Sequence, residues 1–120
     1  MAGMGRPYFE FGPFRLDVSE QMLLRDGHPV PLTPKNLAVL SVLVQNAGHL
    51  VDKERLLNEV WLDSFVEEGT LNRSVSVLRR ALGDSPSGHR YIETVPTRGY
   101  RFVAPVAEGF HPDSKSPTQP

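Results

Sequence analysis

Residues 69–83, GTLNRSVSVLRRALG, and residues 91–103, YIETVPTRGYRFV, decide the fold of this 120-residue chain. In the first segment, apolar residues recur at steps of three and four, which is typical of a helix that buries one face. This buried face consists of Leu71, Val75, Leu78 and Leu82, and the opposite face consists of Arg73, Ser76, Val77 and Arg80. The second segment contains two strand-like runs joined by residues 96–99. The sequence therefore predicts a helix near 69–82 followed by a β-hairpin.

Positive charge is concentrated in the same part of the chain. Residues 70–103 contain six arginines and two acidic residues, whereas the rest of the chain carries seven basic and twelve acidic side chains. The formal net charge of −1 thus hides a basic helix and hairpin beside an acidic remainder. Because arginine displaces condensed counterions from phosphates, this distribution favours contact with duplex DNA.

The remaining elements precede this segment. Short alternating runs between residues 8 and 30, with Asp26-Gly27 as a hairpin signal, predict an antiparallel sheet of three or four strands. Thr33-Pro34 predicts the start of a first helix that Gly48 closes, and Asp52 predicts the cap of a second helix after a brief extended link at Leu50-Val51. The predicted fold class is α+β, a winged helix-turn-helix with an N-terminal antiparallel sheet, three helices and a C-terminal hairpin wing.

Composition limits the other function classes. The chain has no cysteine, its four histidines lack metal-ligand spacing, and it contains no Gly-rich phosphate loop. We therefore expect no enzyme activity, no cofactor, no metal and no small-molecule substrate. No apolar run approaches the ~20 residues that span a bilayer, so we expect no membrane segment in this chain and a cytoplasmic location. The predicted organisation is a flexible N-terminus at 1–7, one domain at 8–106, and a disordered tail or linker at 107–120.

Several motifs together resemble the OmpR/PhoB family of DNA-binding effector domains. They are Thr33-Pro34, the runs LLNEVW at 56–61 and LRRALGD at 78–84, and the run YIETVPTRGYRF at 91–102. The resemblance covers about Tyr8 to Val106. It implies a bacterial transcription regulator whose third helix lies in the major groove while the wing reaches the adjacent minor groove. Its placement near the start of the chain resembles that in CadC/ToxR-like regulators, which suggests an additional module beyond Pro120.

The resemblance also implies roles for individual residues. Asn72, Arg73, Ser76 and Val77 correspond to base contacts, and Thr70, Ser74 and Arg80 correspond to phosphate contacts. At the wing, Thr97 and Arg98 are candidates for the minor groove, and Arg101 for phosphate or solvent. Two positions depart from well-studied members, because Val77 replaces a frequent arginine and Pro96 stands where a basic residue often enters the minor groove. The target sequence therefore cannot be transferred from a relative.

Several alternatives remain open from the sequence. Val77 could touch a thymine methyl or pack against the wing, and Asn72 could contact adenine or cap the helix. Gly99 could provide a positive φ or a close backbone approach.

The acidic loop at 63–68 could contact RNA polymerase or be merely solvated. Tandem homodimers on direct repeats are implied by the family. The alternative function is a winged-helix module that docks a protein and does not bind DNA directly.

Overall fold

The structure, a computed structural model, describes residues 6–62, 66–84 and 90–111. Two compact units contain these residues, one formed by the strands at the two ends of the chain and the other by residues 32–105. In chain order the elements are β1 (Arg6–Phe11), β2 (Phe14–Asp17), β3 (Met22–Arg25), β4 (His28–Pro29), α1 (Pro34–Gln45), β5 (Leu50–Asp52), α2 (Lys53–Val60), α3 (Glu68–Leu82), β6 (Ile92–Val95), β7 (Gly99–Phe102) and β8 (Ala107–His111).

The terminal unit is an antiparallel sheet with the strand order β4-β3-β2-β1-β8. The predicted hairpin between β3 and β4 is present, and Asp26 and Gly27 both have positive φ, at 50° and 85°. This is the backbone conformation that a two-residue hairpin turn requires. The predicted N-terminal sheet is therefore confirmed through its first four strands.

The prediction that residues 107–120 form a tail was wrong for 107–111, which form β8 along β1. In this pairing Gly109 lies opposite Tyr8, and a Cβ on Gly109 would lie 2.6 Å from the Tyr8 ring. The Tyr8 ring is stacked in turn beneath the Arg15 guanidinium, 4.2 Å from the ring centroid. This strand forms because β1 offers an edge for pairing and because Gly109 has no side chain to collide with the Tyr8 ring. Neither feature can be recognised from the hydrophobicity of the sequence. The predicted boundaries at residues 8 and 106 accordingly fall short of the strands that begin at 6 and end at 111.

In the second unit, α1 begins as predicted, because the Thr33 hydroxyl accepts a hydrogen bond from the Asn36 amide at 3.2 Å. Its buried side chains include Leu37, Leu40, Leu43 and Val44, which recur at steps of three and four residues. The helix ends at Gln45, so the predicted end at Gly48 was too late. Asp52 precedes α2 as predicted, but its side chain makes no capping hydrogen bond.

The segment predicted as an extended link is strand β5, and it joins the wing strands in a three-stranded sheet with the order β5-β7-β6. Val51 pairs with Tyr100, and Asp52 pairs with Gly99. Gly99 is buried, and a Cβ there would lie 2.1 Å from the Val51 carbonyl oxygen. The close backbone approach is thus the reason for this glycine, whereas the positive φ of the turn, 62°, belongs to Thr97.

Helix α3 begins one residue earlier than predicted and ends as predicted. Leu71, Val75, Leu78 and Leu82 are all buried, at 3% exposure or less, which confirms the predicted core face. Gly83 terminates the helix with φ 74°, a left-handed conformation that favours glycine. Because the core face is fixed in this way, the opposite face of α3 is directed to solvent.

Candidate nucleic-acid interface

The outer face of α3 carries the predicted contact residues. Arg73, Ser76, Val77 and Arg80 are all exposed. Val77 is 36% exposed, a large fraction for an apolar side chain. Arg73 and Arg80 make no hydrogen bond or ion pair with any residue that the structure describes. Both guanidinium groups are thus available for an external anion.

The wing tip presents a third cation in the same unit. Pro96, Thr97 and Arg98 are exposed, and the Arg98 amide donates to the Val95 carbonyl at 3.0 Å to close the turn. The Arg98 carbonyl accepts a hydrogen bond from the Lys53 amide at 3.0 Å, which joins the tip to the first residue of α2. The Arg98 side chain has no partner within the described ranges 6–62, 66–84 and 90–111. The backbone of the tip is therefore fixed while its charged side chain is available.

The other three arginines of this segment are engaged within the domain. Arg79 donates to the Ile92 carbonyl at 3.0 Å and to the Thr94 hydroxyl at 2.7 Å. Arg101 forms an ion pair with Glu93 at 2.9 Å, and Arg90 approaches Asp84 at 3.4 Å. Fewer guanidinium groups of this segment are therefore available to bind DNA than the arginine count predicts. Arg101 is better explained as the partner of Glu93 than as a phosphate contact.

Ser74 is also placed differently from its predicted phosphate role. Its side chain is buried at 4% exposure, and its hydroxyl donates to the Asn36 Oδ1 at 2.5 Å. The hydroxyl therefore stabilises the contact between α1 and α3 and does not face solvent. Thr70 is half-buried, one turn before Ser74, and keeps part of its surface open.

Asn72 is exposed, but it is not a helix cap, because the cap position is Glu67. Instead, its Oδ1 accepts a hydrogen bond from the hydroxyl of Tyr100 on β7. Tyr100 is buried, at 5% exposure. Of the two roles predicted for Asn72, capping is thus excluded by the position of the residue in the helix.

Sequence reasoning missed Lys35, whose ammonium donates to the Val60 carbonyl at 2.9 Å and so binds the last residue of α2. Lys35 lines the same surface depression as Thr70, Arg73 and Val77. The sequence feature that could have indicated Lys35 is its position in the first turn of α1, directly after Thr33-Pro34. Of the predicted site residues, the depression brings together Thr70, Arg73, Ser74 and Val77.

Three helices whose last member exposes a basic face, followed by a hairpin with a basic tip, define a winged helix-turn-helix DNA-binding domain. Residues 27–102 match the family model described as "Transcriptional regulatory protein, C terminal", and the chain belongs to this family. The predicted OmpR/PhoB-type resemblance is thus confirmed, and the domain is a DNA-binding module of a transcriptional regulator. The family is a class of regulatory domains and not of enzymes.

Comparisons with individual proteins agree with this assignment. The chain is 44% identical over 98 residues to the transcriptional regulator HilA of Salmonella typhimurium, covering 82% of this chain and 17% of HilA. It is 36% identical over 104 residues to KdpE of Mycobacterium tuberculosis, covering 86% of this chain and 46% of KdpE. The chain thus spans less than half the length of these two relatives.

Solved structures show the same fold. The DNA-binding domain of Escherichia coli CadC superposes with a TM-score of 0.74 at 29% identity, covering 86% of this chain and 97% of that domain. The DNA-binding domain of E. coli CpxR gives a TM-score of 0.71 at 30% identity, with coverages of 80% and 95%.

Within the described ranges, none of the helices combines the length and the apolar character that a membrane span needs.

Proposed function

We propose that this domain recognises a specific duplex sequence by placing α3 in the major groove and the wing tip over the adjacent minor groove. One observation carries the proposal: Arg73, Arg80 and Arg98 are exposed and have no partner among the described residues, although acidic side chains elsewhere in the unit bind other arginines. Exposed unpaired arginines on a helix and a neighbouring hairpin match the repeating phosphates and grooves of duplex DNA.

The spacing along α3 agrees with this placement. Arg73 and Arg80 are seven residues apart, so they lie about 10 Å apart along the helix axis on one face. That separation is comparable to the ~12 Å width of the major groove. Arg73, Ser76 and Val77 are the proposed base contacts, and Thr70 and Arg80 are the proposed phosphate contacts. Val77 provides an apolar surface suited to a thymine methyl group.

At the wing, Thr97 and Arg98 are the proposed minor-groove residues. A narrow A·T-rich minor groove has an enhanced negative potential, which attracts an arginine that has no partner within the protein. The hydrogen bond from Lys53 to the Arg98 carbonyl fixes the backbone that carries this side chain. Arg101 and Ser74 are removed from the proposed contact set, since one pairs with Glu93 and the other with Asn36.

The assembly on DNA follows from the family resemblance. Two copies are proposed to bind direct repeats about one helical turn apart on one face of the duplex, in the cytoplasm. Contact with RNA polymerase is proposed for the loop at 63–68. Residues 63–65 of that loop lie outside the described ranges, so the proposal rests on the resemblance and on the acidic composition of the loop.

A salt titration tests the proposal against protein docking as the alternative function. Fluorescence anisotropy with a labelled duplex is measured across salt concentrations for the wild type, Arg98→Ala and the matched control Arg101→Ala. Each lost cation that neutralises phosphate charge, including an arginine bound in the minor groove, reduces the slope of log K against log salt by about 0.9. We expect a reduction of this size for Arg98→Ala and a much smaller one for Arg101→Ala. A wild type that shows no salt-sensitive binding to the duplex would instead support protein docking.

A further inference from the structure

The hydrogen bond between Tyr100 and Asn72 restricts the chemistry that Asn72 can offer to DNA. The Asn72 amide has two functional edges, a carbonyl oxygen that accepts and an NH₂ group that donates. The oxygen edge is engaged by the Tyr100 hydroxyl, and Tyr100 itself is buried in the domain. The exposed remainder of the amide therefore presents mainly its N–H donors.

Several other hydrogen bonds join α3 and the residues just after it to the wing strands. Toward the end of α3, Arg79 binds the Ile92 carbonyl and the Thr94 hydroxyl of β6. Beyond the helix, the buried Asp84 carboxylate accepts hydrogen bonds from the Tyr91 and Ile92 amides, both at 2.9 Å. These contacts hold α3 against the wing strands and so keep Asn72 next to Tyr100, where rotation of the Asn72 amide would break their hydrogen bond.

We propose that Asn72 is a specificity-determining residue that recognises guanine through its NH₂ group, and that Tyr100 is the positioning residue that holds its carbonyl oxygen. The inference rests on the proposed function, because it requires α3 to lie in the major groove. Guanine presents two acceptors there, N7 and O6, whereas adenine presents one acceptor and one donor. The usual bidentate pairing of asparagine with adenine needs both amide edges, and here one edge is engaged inside the protein.

Neighbouring residues on the helix fit this assignment. Ser76 is one turn beyond Asn72 and is exposed, and Arg73 adjoins it without a partner in the described part of the chain. The first turns of α3 can therefore present a hydrogen-bond donor from each of these three side chains to the DNA. Such a surface favours a guanine-containing half-site over one that displays donors.

The test is selection of bound sequences from a random duplex pool, performed with the wild type, Asn72→Ala and Tyr100→Phe. We expect the wild type to enrich guanine at one position that loses its preference in Asn72→Ala, with discrimination falling about three- to tenfold, as for the loss of one hydrogen bond. Tyr100→Phe keeps the buried ring and releases the Asn72 oxygen. We expect this variant to shift the same position toward adenine.

Two further variants separate positioning from a general structural role. Asn72→Asp keeps an oxygen for Tyr100 but lacks the NH₂ donors, so it should lose the guanine preference while remaining folded. In an Asn72→Ala background, Tyr100→Phe should change nothing further at that position, because the two residues act through one hydrogen bond. An additional change in this double variant would contradict the positioning role.

The outcomes that would overturn the inference are distinct from those that would overturn the proposed function. Enrichment of adenine by the wild type, or an unchanged motif in Asn72→Ala, contradicts guanine recognition while leaving DNA binding intact. An equal loss of affinity for all sequences in Asn72→Ala assigns this residue to phosphate and also contradicts the inference. A wild type that enriches no sequence and shows no salt-sensitive binding contradicts the proposed function itself.

Discussion

Replacing Gly99 with alanine should disrupt the pairing of β7 with β5, the strand that directly precedes α2. The added Cβ would lie 2.1 Å from the Val51 carbonyl oxygen and 3.0 Å from the Asp52 Cα, both of which are backbone atoms. Because non-bonded carbon atoms prefer about 3.5–4.0 Å, β5 would have to move by about 1 Å or more. A rotamer change cannot relieve this contact, since no side chain is involved.

The magnitude follows from what that movement breaks. Overpacking of this kind costs about 1–3 kcal/mol. The shift also strains the β5–β7 pairing and the hydrogen bond from Lys53 to the Arg98 carbonyl, and each lost hydrogen bond costs about 1 kcal/mol. We expect Gly99→Ala to lower the free energy of unfolding by about 3–5 kcal/mol, a large part of a typical domain's 5–15 kcal/mol. DNA affinity should fall as well, because Arg98 is the adjacent residue.

Urea unfolding followed by circular dichroism measures the stability change, and hydrogen exchange of the β7 amides reports the loss of pairing. The matched control is Gly69→Ala in the first turn of α3, where a Cβ would meet no atom within 4 Å. That control should be neutral or stabilising by up to about 1 kcal/mol. If Gly99→Ala unfolded within 1 kcal/mol of the wild type and kept its β7 protection, the close-approach explanation would be incorrect.

Three further substitutions test individual contacts. Asp84→Ala should lower the free energy of unfolding by about 2–3 kcal/mol, because two buried amides lose their acceptor. Arg90→Ala should cost under about 1 kcal/mol, because the Arg90 side chain is about half exposed and its ion pair with Asp84 is screened by solvent. Urea unfolding of both variants measures the two costs, and equal effects would contradict this difference. Ser74→Ala should cost about 1 kcal/mol and leave the salt slope of DNA binding unchanged, and a shallower slope in anisotropy titrations would restore its phosphate role. Gly109→Ala should displace the Tyr8 ring and raise the hydrogen-exchange rates of the β1 and β8 amides, and unchanged rates would show that β8 does not need this glycine.

The helices and their buried faces could be predicted from the sequence because local periodicity determines them. In α3, burial of Leu71, Val75, Leu78 and Leu82 follows directly from a repeat of three and four residues. The start of α1 follows from the capping chemistry of Thr33 and the proline after it. These features need no knowledge of distant parts of the chain.

The strands β5 and β8 could not be predicted in the same way. Each is short, and each exists because a distant strand offers a free edge, as in the pairing of Val51 with Tyr100 and of Tyr8 with Gly109. Sequence periodicity over three to five residues carries too little information to indicate such pairing.

The candidate site was predicted in outline but not in its pairings. Ser74 was assigned to phosphate from the family resemblance. Its hydrogen bond to Asn36 was not predictable, because Asn36 lies 38 residues away and only the folded chain brings the two together. The pairing of Arg101 with Glu93 was accessible, since the predicted hairpin places these residues opposite each other across β6 and β7. Counting charges without assigning hairpin register therefore overestimated the free positive charge.

The most direct test of DNA recognition by α3 and the wing is a map of amide chemical shifts on the isotope-labelled chain during titration with its selected duplex. We expect the largest changes on the outer face of α3, at Arg73, Ser76, Val77 and Arg80, and on the wing tip at Thr97 and Arg98. We expect small changes in β2 and β3. Changes concentrated in those strands, with α3 and the wing tip unaffected by saturating duplex, would contradict recognition by α3 and the wing.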